Sequence, residues 1–167
     1  MKAIHITLPD FDGKNPLRNN LLTFDEIMII NAIAILHAKA DDIMTAVQLG
    51  MWLKKYMEEK IVDGTMKIAK YPMILYNLSN WLGRENCHKE ALKMADLGIR
   101  FCIRYGNLAF FPILVFNKGG ALAELGKIDQ AKKYLHQSVT IFEAMDRPDL
   151  IQVATDWCKL HYRIDIQ

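Results

Sequence analysis

Apolar positions in this chain fall into blocks of helical length, separated by short polar or glycine-bearing breaks. No stretch after residue 24 alternates as a strand would. A capping box opens the first block: in "TFDE", Thr23 is followed three residues later by Glu26, just before an apolar run. That helix is predicted to reach Lys39. Asp41 and Asp42 break it and cap a second helix over about Asp42–Glu59, and "VDGT" (62–65) reads as a turn. A third helix runs to about Arg84, with its start open, because Pro72 suits a first turn but kinks a helix that begins near Thr65. A fourth covers about His88–Tyr105 and is stopped by Gly106-Asn107. A fifth holds "FPILVFNKGGALAEL" and ends at Gly126; a sixth covers Asp129 to about Met145. Pro148 starts a last helix that ends near Tyr162. Residues 1–23 are expected to form an N-terminal arm or truncated linker, with "KAIHITL" either a short strand or the tail of a helix begun upstream.

The pattern repeats. "YPMILYN" (71–77) and "FPILVFN" (111–117) lie 40 residues apart and match type for type: aromatic, Pro, three aliphatics, aromatic, Asn. The same shift maps Leu82 onto Leu122, Ala91 onto Ala131 and Ile99 onto Val139. Small residues (Ser79 and Gly119, Ala91 and Ala131, Gly98 and Ser138) fall where two antiparallel helices must approach closely. Ala34, His37, Ile43, Ala46 and Gly50 form a weaker, earlier copy. A lone hairpin of this kind cannot bury its apolar face, so hairpins must stack. The expectation is an all-α solenoid within a repeat domain over 24–167: hairpins at about 24–60, 66–105 and 108–146, then a cap helix at about 148–163. The arrangement resembles the tetratricopeptide repeat, with a longer period and hence longer helices.

Composition narrows the function. Half of the residues are hydrophobic and a quarter charged, as in a globular chain. A formal charge of +2, widely dispersed, gives no electrostatic case for nucleic-acid binding. The longest apolar run, Ile27–Leu36, is interrupted by Asn31 and is shorter than the roughly 20 residues that span a bilayer. The start lacks the apolar core and cleavage site of a signal peptide. Three well-separated cysteines with no CxxC read as reduced, mostly buried thiols in a cytoplasmic protein.

Catalytic and cofactor signatures are weak. "GGALAELGKI" looks like a phosphate loop, but five residues separate Gly120 from Gly126 and Ile128 stands where a magnesium-binding Ser or Thr is needed. The five histidines have no ligand-like spacing with each other or with cysteines. With no nucleophile motif and no distinctive carboxylate pair, neither enzymatic activity nor a cofactor or metal is expected. The methionines read as core filler, with an adaptable wall for a peptide as the other use.

The first helix of each hairpin in such a stack lines the concave surface. The small residues place Asn31 on that stripe in the first hairpin, Tyr76, Asn77, Asn80 and Arg84 in the second, and Phe116 and Asn117 in the third. Asparagine costs a helix roughly half a kcal/mol relative to alanine, so its recurrence needs a reason. One reason is a carboxamide pairing with the N–H and C=O of an extended peptide, with Tyr76 and Phe116 as apolar walls. The other is hydrogen bonding between helices of the solenoid. Asn77 and Asn117 are the leading anchors, and Arg84 or Lys39 is placed to receive a terminal carboxylate.

"LLTFDEIMIINAIA" (21–34), "ILYNLSNWLG" (74–83), "EALKMADLGIRFCI" (90–103) and "NKGGALAELGKIDQAKKYL" (117–135) together resemble the tetratricopeptide-like sensor domain of Rgg-like, peptide-pheromone-responsive transcriptional regulators of Gram-positive bacteria. The resemblance covers nearly the whole chain. It implies a quorum-sensing role, a short linear peptide as ligand, and groove asparagines that hold the peptide backbone. Nothing here resembles a helix-turn-helix, so DNA contact is expected only through such a domain absent from this chain. A homodimer through the C-terminal region is expected from the apolar bulk of Trp157, Cys158, Leu160 and Tyr162. The competing functions are an interaction module that docks a folded partner, such as a response regulator, and an ancillary domain of an enzyme.

Overall fold

The computed structural model describes residues 22–61, 64–164 and 166. The strand-or-helix question at "KAIHITL", the arm expected over most of 1–23 and part of the turn at 62–65 lie outside them. Seven α-helices follow in order: α1 (Phe24–Lys39), α2 (Ile43–Glu59), α3 (Gly64–Arg84), α4 (His88–Tyr105), α5 (Phe111–Glu124), α6 (Ile128–Ala144) and α7 (Pro148–Trp157), with a π-helical turn at Cys158–Tyr162. No strand occurs among the described residues. Consecutive helices pack on one another, and α1, α3 and α5 also touch each other in sequence along the stack. The result is an all-α solenoid of tetratricopeptide-like hairpins closed by a C-terminal cap helix.

Local chemistry sets the ends. At the start of α1, the Thr23 amide donates to Glu26 Oε2 at 2.7 Å and the Glu26 amide donates to Thr23 Oγ1 at 3.3 Å, a complete capping box. Asp42 caps α2 by accepting from the Thr45 amide at 3.3 Å. Helices α1, α3, α5 and α6 all stop the same way. The amide two residues past the cap reaches back five positions: Asp42 to His37, Cys87 to Leu82, Lys127 to Leu122 and Arg147 to Phe142, all at 2.8–3.0 Å. The residue between turns left-handed: Asp41, Asn86, Gly126 and Asp146, with φ of 64°, 58°, 73° and 51°. Aspartate and asparagine tolerate this region best after glycine. Leu82 and Leu122, paired by the repeat, thus make the same bond in the same turn, and both are buried.

Helix α3 runs unbroken through Pro72, so it starts at Gly64 instead of at the proline. The ring removes the amide that would bond the Ile68 carbonyl four residues back. Asn107, in the loop after α4, repairs the loss: its Nδ2 donates to that carbonyl at 2.7 Å. The equivalent Pro112 takes the expected first-turn place in α5.

The core divides along the stack. Ile27, Ile30, Leu49, Leu53, Met57, Ile74, Leu75 and Leu78 are fully buried in the larger cluster, which joins α1, α2 and α3. Leu122, Leu135, Val139, Phe142, Ala154 and Cys158 form the second cluster, at the other end of the stack. The chain's last turn completes it. At the π-helical turn Arg163 becomes left-handed (φ 52°), the Ile164 amide bonds the Cys158 carbonyl at 3.2 Å, and Ile164 and Ile166 fold back into this core.

The small residues do stand at close contacts. A Cβ on Gly119 would meet the Leu135 side chain at 2.7 Å and the Leu135 backbone nitrogen at 3.2 Å, and one on Gly98 would meet Leu114 at 2.8 Å. Gly119→Ala therefore forces α5 and α6 apart. The expected cost is about 1–3 kcal/mol, the usual penalty for overpacking, read as a lower midpoint in thermal or urea unfolding. The control Gly83→Ala, whose Cβ would meet nothing within 4 Å, should not lower it.

Candidate functional site

A cavity of about 460 Å³ opens along one side of the stack, between α3, α5 and α7. Three helical stripes line it. Tyr76, Asn80 and Arg84 stand four residues apart on α3. Ile113, Phe116, Asn117, Gly120 and Glu124 follow the same face of α5, and Leu150, Val153, Ala154 and Trp157 follow one face of α7. Tyr162, from the π-helical turn, closes the end, with its hydroxyl 3.0 Å from where a Gly120 Cβ would sit. The absence of a side chain at Gly120 is what lets the tyrosine come so close. Burial holds the Tyr76 and Tyr162 phenols above their ordinary pKa, so both keep their protons at neutral pH.

Five of the seven residues singled out from the sequence line this cavity: Tyr76, Asn80, Arg84, Phe116 and Asn117. Asn31 and Asn77 do not. They are buried, 3% and 8% exposed, and Asn77 Nδ2 donates to Asn31 Oδ1 at 3.0 Å. Asn117 makes the equivalent bond one hairpin further on: its Nδ2 donates to Ser79 Oγ at 2.7 Å and, more weakly, to the Tyr76 carbonyl at 3.4 Å. Each repeated asparagine thus ties its own hairpin to the first helix of the hairpin before. Asn117 lines the cavity with both of its described bonds made through Nδ2, and Asn80 is exposed with both donor and acceptor available.

Arg84 has other work. Its Nη1 donates to the Ala38 carbonyl at 3.0 Å and its Nη2 to Asp41 Oδ1 at 2.9 Å, so the guanidinium caps the end of α1. Lys39 is not among the cavity residues. No methionine lines the cavity either: Met57 is fully buried, while Met44 and Met51 are exposed on α2.

Sequence reasoning missed His88, at the start of α4, and the whole wall from α7. The signal for α7 was present: Leu150, Val153, Ala154 and Trp157 have the spacing of one helical face. On sequence the helix is assigned to the cap and the apolar bulk around Trp157 to a dimer contact; in the structure Val153 is 64% and Trp157 46% exposed, and both line the cavity. Among the described residues, no cluster of His, Cys, Asp or Glu has the grouping to hold a metal ion, and no helix is long and apolar enough to cross a membrane.

Comparison with known proteins places the fold. No family of known proteins matches the chain, and no curated protein matches it in sequence. Among solved structures it matches the crystal structure of Bacillus thuringiensis PlcR in its apo form, with a TM-score of 0.69 and 18% identity over 91% of this chain. The two share a fold. The chain spans 59% of the length of PlcR, and at this identity the likeness speaks to architecture alone.

The Asn31–Asn77 pair is a buried, closed unit. Asn77→Ala strands the Asn31 acceptor and should destabilise the fold by about 1–3 kcal/mol, the cost of an unsatisfied buried polar group. The double replacement Asn31→Leu/Asn77→Leu removes both partners and should recover part of that loss, as a double-mutant cycle in urea measures directly.

Proposed function

We propose that this chain is the sensor domain of a bacterial transcriptional regulator and that a short linear peptide is its ligand, held in the cavity between α3, α5 and α7. The observation that carries this reading is that the carboxamides of Asn80 and Asn117, on α3 and α5, line one cavity together with Tyr76 and Phe116. Such groups pair with any peptide backbone, while the aromatic walls take alternate side chains. The fold that the chain shares with PlcR supports the helical-repeat architecture on which this reading rests. In this reading Arg84 shapes the rim, Asn31 and Asn77 keep the α3 wall in place, and DNA is reached through a separate helix-turn-helix domain. A homodimer through the C-terminal region belongs to the same proposal, supported by Leu160, 78% exposed beside the cap.

A docking module for a folded partner is the second reading. It is favoured by a shallow groove between α5 and α6, lined by Phe111, Val115, His136, Gln137, Thr140 and Ile141.

A hexapeptide library selected against the protein separates the two readings. The peptide reading expects binders whose affinity, measured by calorimetry, falls by roughly 1–2 kcal/mol in Asn80→Ala and by more in Phe116→Ala, with both variants folded. Binders that are instead lost in Val115→Asp or Ile141→Asp would move the site to the α5–α6 groove, and no binders at all would sink the peptide reading. For the dimer, light scattering should show two chains per particle in the wild type and one in Leu160→Asp; a wild-type monomer at tens of micromolar would refute it.

A further inference from the structure

Given the cavity as a ligand site, its charges specify what the ligand carries. Among its lining residues, the acidic and basic side chains are Arg84, His88 and Glu124. The Arg84 guanidinium is turned to the end of α1, where Ala38 and Asp41 take both of its Nη groups and Asp41 balances its charge. Glu124, the last residue of α5, has no such partner. Its nearest one is His88 Nε2 at 3.9 Å, beyond hydrogen-bond length, and the carboxylate side chain is 44% exposed. The other ring nitrogen of His88, Nδ1, is buried without any partner, so the imidazole is poorly satisfied as it stands. One carboxylate is therefore the unpaired charge of a cavity whose other walls are aromatic, aliphatic and carboxamide. Apolar walls concentrate its field.

We propose that Glu124 is a binding residue that receives a positively charged nitrogen of the ligand, and that the aromatic wall of Phe116 and Trp157 takes the neighbouring apolar side chain. This reverses the polarity expected from the sequence, in which Arg84 or Lys39 was to hold a terminal carboxylate. The cation is an ammonium or guanidinium group, supplied by a peptide's free amino terminus or by a basic side chain. A partly exposed ion pair is worth up to about fivefold in affinity.

Four small probes test this by titration into the ¹⁵N-labelled chain at millimolar concentrations, read as chemical-shift changes at the cavity. Phenylalaninamide carries a terminal ammonium, N-acetylphenylalaninamide is neutral, N-acetylphenylalanine is anionic, and Nα-acetyllysinamide offers only a side-chain ammonium. At least one cation should bind about three- to fivefold tighter than the neutral probe, with the anion weakest, and Glu124→Gln should abolish the difference. Which cation wins identifies its source. Glu124 is a surface residue, so the variant is expected to fold, and its circular dichroism checks this. Equal binding of all charge types, or a cation preference that survives in Glu124→Gln, overturns the proposal and leaves the cavity a ligand site. Failure of every probe to shift a cavity resonance overturns both.

Discussion

Each hairpin of this molecule is held to the one before it by a carboxamide. Asn77 reaches Asn31 and Asn117 reaches Ser79, in both cases from the first helix of one hairpin to the first helix of its predecessor. The surrounding contacts are apolar and non-directional, so they favour stacking without fixing the angle between successive helices. For the buried Asn31–Asn77 pair, leaving either partner unmet costs about 1–3 kcal/mol, and the part-buried bond from Asn117 to Ser79 fixes α3 against α5 in the same directional way. The separation of α3 from α5 follows from that bond, and the cavity is the space their exposed faces then enclose. The polar row at the heart of the repeat is therefore an alignment device, and only the atoms it leaves over face the cavity.

This explains which parts of the molecule were legible in its sequence. Helix ends were, because they are written in local chemistry: Thr23 with Glu26, Asp42, Gly106, Gly126 and Pro148 each act within a few residues of themselves. The stack was legible too, because a 40-residue period constrains every copy at once. The roles of individual asparagines were not. Asn77 and Asn80 lie three positions apart on one helix, yet one is sealed against α1 and the other faces the cavity. That difference depends on where a neighbouring helix lies across the stack, which residue type and spacing do not encode. The cap helix was legible as a cap, but its place along the cavity was not, for a related reason: an apolar helical face looks the same whether it packs on a core or borders a cavity.

The two ends of the cavity are built differently. At one, Arg84 links the α3 rim to the end of α1, so the first hairpin bears on the geometry of a surface it does not itself line. At the other, Tyr162 enters on a π-helical turn whose continuation anchors Ile164 and Ile166 in the core. A wider turn inserted there redirects the chain inward, and π-helical turns are frequent where a protein places a side chain for a purpose. The α3–α5 walls are thereby tied to the rest of the molecule on both sides, by Arg84 reaching out to α1 and by Tyr162 reaching in against Gly120.

The bond from Asn107 to the Ile68 carbonyl makes the hairpins less separable than their sequence repeat suggests. Solenoids are commonly treated as chains of near-independent units, each adding its own increment of stability. Here the second hairpin's long helix has a gap at Pro72 that is filled only when the loop leading into the third hairpin has docked. Neither the end of α4 nor the first half of α3 reaches its final state alone. Amides on both sides of that loop should therefore open to solvent exchange together, as one cooperative block and not one repeat at a time. A natural boundary for dissecting the molecule would then lie after α2, and not between the two copies of the heptad.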